Sequence, residues 1–283
     1  MKSDRGEEVS GETTDDIERA HLREPGDTSH EVFRYDSPIE FEALLRRFWI
    51  PVWSIPPGHS APQKVLQYPV CLLVVAEDYA RFYGVTSGLS TTTLTGEGWA
   101  VGVMCEPAAG FLLAGTSIDH YTDRHVPLTD VLGADGRALV NDLRRVMAHE
   151  PRSSETHRRA MKVYTEVLRR FLPVDTEGQL VNDIVAFVEG RSDVTRVAQV
   201  CEAFDISERS LQRLIHRRLG LAPKWLIQRR RLHDAVARLR ARTTTLANLA
   251  AELGYADEPH FIRDFSRSTG MTPGRFAAAQ ERQ

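Results

Sequence analysis

The chain changes its hydrophobic rhythm along its length. From Val32 to about Leu132, short apolar runs and strict alternation favour strands. Val70-Cys-Leu-Leu-Val-Val75 is continuously apolar, Glu77-Asp78 marks a turn, and Ala80-Arg-Phe-Tyr-Gly-Val85 alternates. Together they predict a hairpin. Trp99–Met104 and Phe111–Leu113 are further strand candidates, with Gly and Pro as punctuation. A β-rich domain over 32–134, a sandwich or a small barrel, is the expected result. From Asp135 to Gly190 the period becomes helical. Leu139, Leu143, Val146 and Met147 share one face. Met161, Tyr164, Leu168 and Phe171 or Leu172 line a second helix, stopped by Pro173. Leu180, Ile184, Phe187 and Val188 line a third, closed by Gly190. This segment, 135–190, is either a helical connector with a dimer contact or a layer packed on the β domain. Residues 1–31 hold many acids and few large apolar groups, so a disordered acidic tail is expected.

The remainder, 191–283, contains a repeat. Glu208, Arg213, Arg217, Gly220 and Pro223 recur fifty residues later as Glu258, Arg263, Arg267, Gly270 and Pro273. Ser207 and Asp257 are matching helix N-caps, and Leu211 and Ile215 match Phe261 and Phe265. A fixed offset means one structural unit used twice. Each unit reads as a short helix, a turn, a second helix with basic residues on one face, and a Gly-x-x-Pro stop. The first turn is Asp205-Ile206. The second is Gly254-Tyr255, where glycine reaches a left-handed conformation cheaply. A tandem pair of helix-turn-helix modules follows, with recognition helices at about 208–219 and 258–268. The connector after Pro223, of about 20 residues at ~1.5 Å each, spans ~30 Å. That is close to one turn of duplex, ~34 Å.

Arg pairs with guanine and Gln with adenine in the major groove, so Arg209, Gln212 and Arg213 are the expected base readers of the first module. His216, Arg217 and Arg218 are better placed for phosphates. In the second module Glu258, His260, Ile262, Arg263 and Arg267 lie near the outer face. Arg263 is the evident donor, Glu258 either accepts from cytosine or favours the helix N-terminus electrostatically, and His260 and Arg267 are phosphate candidates. Arg230, in mid-connector, is a further phosphate candidate. Pro259 offers no side-chain donor, so the second helix reads fewer bases.

Charge supports this division. Residues 194–277 carry 15 Lys and Arg against 8 Asp and Glu, whereas 1–193 carry 20 against 30. The C-terminal part can face phosphates, which would repel the rest. Hydrophobic content of 42% and charged content of 27% fit a soluble globular protein. No apolar run reaches the ~18–20 residues of a membrane span, and the polar N-terminus has no signal segment. No membrane association and a cytoplasmic location are therefore expected. Cys71, Cys105 and Cys201 lack metal-site spacing and read as buried thiols.

Leu249-Ala-Ala-Glu-Leu-Gly-Tyr-Ala-Asp-Glu-Pro-His-Phe-Ile-Arg-Asp-Phe265, with Gly270-Met-Thr-Pro273 and Ser207-Glu-Arg-Ser-Leu-Gln-Arg213, resembles the DNA-binding domain of AraC/XylS-type transcription regulators. The resemblance covers about 194–276. It implies a seven-helix, two-module domain on double-stranded promoter DNA, acting as an activator or a repressor. RNA polymerase and, through the 135–190 segment, a second copy of the chain in a homodimer are candidate partners. By position it supports Arg209, Gln212, Arg213, Glu258, Pro259, Ile262 and Arg263 as the groove-facing set. Asp205 stands where the family often has Gly; Asp tolerates the left-handed region better than most residues. Phe48-Trp-Ile-Pro-Val-Trp53, Leu66-Gln-Tyr-Pro-Val70 and Gly98-Trp-Ala-Val-Gly-Val103 are similar to sensor halves of one subgroup, which implies a cupin-like sensor domain. Trp49, Trp53, Tyr68, Tyr83 and Trp99 are candidates to line its pocket for a small-molecule effector. The competing class is a cupin-like metal enzyme with His59, His120, His125 and Glu106 as ligands. No H-x-H or compact His/Glu set occurs, so neither catalysis nor a cofactor is expected.

Overall fold

The computed structural model describes residues 20–22, 28–241 and 244–280. Residues 1–19 and 23–27 of the expected acidic tail lie outside the described residues.

The alternating segments form strands β1 (His30–Asp36), β2 (Leu45–Ser54), β3 (Ala61–Val65), β4 (Leu72–Ala76), β5 (Ala80–Tyr83), β6 (Ser90–Leu94), β7 (Glu97–Cys105) and β8 (His125–Pro127). Six of them make one antiparallel sheet in the order β1-β2-β7-β4-β5-β8, and β3 pairs with β6 in a separate ribbon. The predicted hairpin is β4–β5. The β-rich N-terminal part and the all-α C-terminal part are both present, in a mixed α+β chain. The main sheet is open, with β1 and β8 at its edges.

Alternation decides what each face holds. Phe48, Ile50 and Val52 of β2, Leu73 and Val75 of β4, and Trp99, Val101 and Val103 of β7 point inward to one core. Two helices close that core. They are α2 (Leu128–Met147) and α3 (Ser154–Leu168), which follow a short α1 (Ala109–Ala114). Leu139, Leu143, Met147, Ala160, Tyr164 and Leu168 are buried in it. The buried Tyr164 hydroxyl donates to the Val101 carbonyl at 3.0 Å. The apolar stripes of α2 and α3 are thus used on their own sheet. The opposite face carries small residues under large ones. Trp49 lies across Gly102 and Trp53 across Gly98, so closely that a Cβ at either glycine would collide with the indole.

Phe111–Leu113, expected as a strand, is helical within α1. Three apolar residues carry no period. Alanines precede them, and Gly115 ends the turn in a left-handed cap with φ +64°.

The remaining helices are α4 (Thr176–Gly190), α5 (Val197–Ala203), α6 (Glu208–Leu219), α7 (Pro223–Ala241), α8 (Leu246–Glu252), α9 (Glu258–Thr269) and α10 (Pro273–Gln280). Val181, Ile184, Val185 and Val188 of α4 are buried together with Val200, Leu211, Leu214, Ile215, Leu226 and Ile227. So the buried face of α4 packs on the first helix-turn-helix module. The second module has its own core of Leu232, Val236, Leu239, Leu249, Leu253, Phe261, Phe265 and Phe276. The helix α7 contributes to both.

Candidate nucleic-acid interface

The two modules are built by the same local devices. Asp205 takes the left-handed conformation at φ +49°, and Gly254 does so at +75°. The Ser207 hydroxyl accepts from the Ser210 N–H at 3.2 Å, and the Asp257 carboxylate accepts from the His260 N–H at 2.6 Å. Gly220 and Gly270 end α6 and α9 at φ +71° and +76°, donating to the carbonyls of His216 and Ser266. Pro259 sits in the first turn of α9, where no N–H is missed. The offset-50 repeat is therefore a repeat of geometry.

On α6 the inward stripe is Leu211, Leu214, Ile215, Arg218 and Leu219. Arg209, Gln212, Arg213, His216 and Arg217 are exposed. Gln212 donates to Glu208 one turn earlier at 3.1 Å. On α9, Pro259, His260, Arg263 and Arg267 are exposed, while Glu258 and Ile262 are half-buried. His260 also packs edge-on against Tyr255, with ring centroids 5.3 Å apart. Each module thus presents one basic helix face to solvent.

Two predicted phosphate contacts are corrected. Arg218 is 1% exposed. Its guanidinium donates to Asp175 at 2.6 Å and Glu177 at 2.7 Å, and lies over the Phe111 ring at 4.2 Å. Position 218 is seven residues after Leu211, two turns along the buried stripe, so the helix turns this arginine inward. Hydrogen bonding from Arg218 holds the Asp175 carboxyl below its ordinary range. Arg230 is 4% exposed and donates to the carbonyls of Ser192 and Val194 and to Asp234. It ties the connector to the loop before α5. Arg217 remains exposed and pairs with Glu177.

The proposed aromatic pocket also divides. Val52 pairs with Trp99 across β2 and β7, so Trp99 shares the inner face with Val52. Trp49, Trp53, Tyr68 and Tyr83 belong to the cluster on the outer face. Along the body of the sheet the two faces stay separate, and of these five side chains only Trp53 and Trp99, at the strand ends, border one recess. Tyr68 packs on His233 of α7, with ring centroids 4.4 Å apart.

A junction between the N-terminal domain and the reading unit had no signal in the sequence. Ser117 donates to the Arg217 carbonyl and Thr122 to the Gly220 carbonyl, both at the end of α6. Trp225 and Arg229 of α7 donate to the Ser87 carbonyl, and His233 bonds the Leu66 carbonyl at 2.7 Å. These partners lie about a hundred residues or more apart in the chain, beyond any local pattern.

Among the described residues, no three His, Cys, Asp or Glu side chains come together to hold a metal. Glu106 is ion-paired with Arg46, and His125 packs against Tyr83. No described helix is long and apolar enough to cross a membrane.

Twin basic helix faces on a shared connector define the C-terminal unit as a tandem helix-turn-helix domain. Residues 200–279 match the family described as "Helix-turn-helix domain". Residues 34–127 match a family described as "Domain of unknown function (DUF6597)". The chain is 25% identical over 114 residues to the uncharacterized HTH-type transcriptional regulator YfiF of Bacillus subtilis, covering 40% of this chain and 36% of that protein. It is 28% identical over 155 residues to the HTH-type transcriptional activator RhaS of Escherichia fergusonii, covering 51% and 55%. The chain spans about a third to a half of the length of these curated relatives. The crystal structure of ToxT from Vibrio cholerae aligns with a TM-score of 0.39 at 12% identity, over 89% of this chain and 98% of that one.

Proposed function

We propose that the chain is a sequence-specific DNA-binding transcription regulator that places α6 and α9 in successive major-groove segments of one duplex. The carrying observation is the exposure of Arg209, Gln212 and Arg213 on one module and Arg263 and Arg267 on the other, on helices capped alike. At 19 residues, α7 is ~28 Å long, a spacer near one helical turn of DNA. Base reading is assigned to Arg209, Gln212, Arg213, Glu258, Ile262 and Arg263. Phosphate contact is assigned to His216, Arg217, His260 and Arg267. The N-terminal domain acts as a non-enzymatic sensor that biases the DNA-competent arrangement through a ligand's unequal affinity for two states. A small-molecule effector, RNA polymerase and a second copy of the chain are its proposed further partners, and the cytoplasm its place of action.

Selection of bound sequences from random duplex DNA tests the reading. Two short motifs about one turn apart are expected, with a slope of log affinity against log salt of about −4 or steeper. A single motif, or an affinity indifferent to salt, would overturn it.

A further inference from the structure

A recess at the far end of the sheet serves no part of the DNA interface. It holds about 540 Å³ between the ends of β2 and β7, the β4–β5 turn, and the C-terminal end of α2 with the loop after it. Small-molecule sites commonly run from ~300 to ~1,000 Å³. Its floor is apolar, formed by the buried Val52, Trp99 and Met147. Trp53 stands at the edge as a fixed wall. Its ring is held against Gly98, and its indole N–H donates to the Thr95 carbonyl at 3.2 Å.

The rim charges are sorted by layer. The sheet supplies two carboxylates, Glu77 and Glu97, and the helical layer supplies two guanidinium groups, Arg144 and Arg152. Glu97 is oriented by the Ser54 hydroxyl at 3.1 Å. Arg144 spends its Nε–H on the Ala76 carbonyl at 3.1 Å, which fixes the plane of its fork. Arg152 lies 3.8 Å from Glu31, outside this set. Among the described residues, no ion pair joins either carboxylate of the rim to either guanidinium. An anion bound here would also face two carboxylates, and a cation two guanidinium groups. A molecule carrying both charges satisfies both layers, with an apolar group on the floor.

We propose that this recess binds a small zwitterion with a flat apolar side group, of the aromatic α-amino acid class. Its carboxylate meets Arg144 and Arg152, its ammonium meets Glu97 and Glu77, and its ring packs between Trp53 and Trp99. This deepens the reading of the N-terminal domain as a sensor and does not depend on the DNA contacts.

Three indoles of one shape separate the charge classes: L-tryptophan, indole-3-acetate and tryptamine. Titrated into the full chain by calorimetry, tryptophan is expected to bind about tenfold or more tighter than the other two, since each of those lacks one charge-assisted contact. It also raises the thermal midpoint with concentration. Glu97→Gln and Arg144→Met each weaken tryptophan by about tenfold. Arg145→Met, one residue along and 77% exposed, leaves it unchanged and controls for folding. Equal binding of all three indoles, no binding at millimolar concentration, or indifference to both rim variants would overturn the proposal. DNA affinity is measured with and without tryptophan. Binding that leaves DNA affinity unchanged upholds the site and removes the sensor reading, so the two failures are distinguishable.

Discussion

Arg213 and Arg217 stand one helical turn apart on α6, and their removal should have different consequences. A side chain near the start of the recognition helix reaches base edges, and one near its end reaches the backbone. Arg213→Ala is expected to lose ~1–3 kcal/mol of discrimination at one base pair, while Arg217→Ala weakens every sequence alike. Binding to matched, mismatched and random duplexes measures both, and equal losses on all three for Arg213→Ala would sink its assignment. Arg218, the next residue, belongs to the protein interior. Its removal leaves Asp175 and Glu177 without their shared cation, so Arg218→Ala should cost on the order of 2 kcal/mol of stability. Its effect on affinity should not vary with salt. Because Arg218 lowers the Asp175 pKa, this stabilisation is present above the ordinary carboxylate range and is lost as pH falls through the lower folded value. Asp175→Asn is accordingly expected to flatten the acid limb of a plot of thermal midpoint against pH between 6 and 2.

At the scale of elements, the paired helix ends offer an internal comparison. Gly220 and Gly270 occupy equivalent left-handed caps, so a side chain at either costs ~1–2 kcal/mol from backbone strain alone. Around Gly270 there is space, the nearest atom to a new Cβ being Leu89 Cδ2 at 4.0 Å. A Cβ at Gly220 would instead strike the Thr122 hydroxyl and the Asp119 backbone. Thermal unfolding should therefore show Gly220→Ala as clearly the more damaging, with loosened docking of α6 on the 118–122 segment. Equal losses would mean that this docking adds nothing to stability. The caps were legible because they depend on residues within four positions of each other: Ser207 with Ser210, Asp257 with His260. The α1 helix was not, because three apolar residues fit a strand or a turn of helix equally well. Arg218 was legible in principle, since Leu211, Leu214, Ile215 and Arg218 follow one helical stripe. The sequence reading gives that charge to a DNA phosphate, whereas the carboxylates Asp175 and Glu177 at the start of α4 receive it.

For the whole molecule, the junction at α7 carries the main energetic tension. Arg229 is 3% exposed and gives one nitrogen to the carbonyls of Ser87 and Gly88, while its Nε and Nη1 have no partner. It also lies over the Trp225 ring at 4.5 Å. Burial pushes its pKa down to about 10. For a base this sign means the charge is held at a cost below that value, and stability rises as pH climbs through about 10. Arg229→Met is expected to raise stability at neutral pH by on the order of 1 kcal/mol, since an apolar side chain of similar length carries no unpaired charge. The salt slope of DNA binding should not change, because Arg229 faces the N-terminal domain rather than phosphate. A lower thermal midpoint, or a slope shallower by about one unit, would contradict this account.

The β4–β5 hairpin, the duplicated module and its helix caps were determined by the sequence. Each rests on spacing within a few turns of chain, where geometry is fixed by backbone chemistry. Which of the arginines reach solvent, which face of the sheet each aromatic takes, and where the N-terminal domain grips α6 and α7 were decided only by the tertiary structure. Those outcomes depend on partners such as Glu177 for Arg218, Val52 for Trp99 and Ser87 for Arg229. Such contacts join distant parts of the chain, and packing chooses among arrangements that local periodicity leaves equivalent.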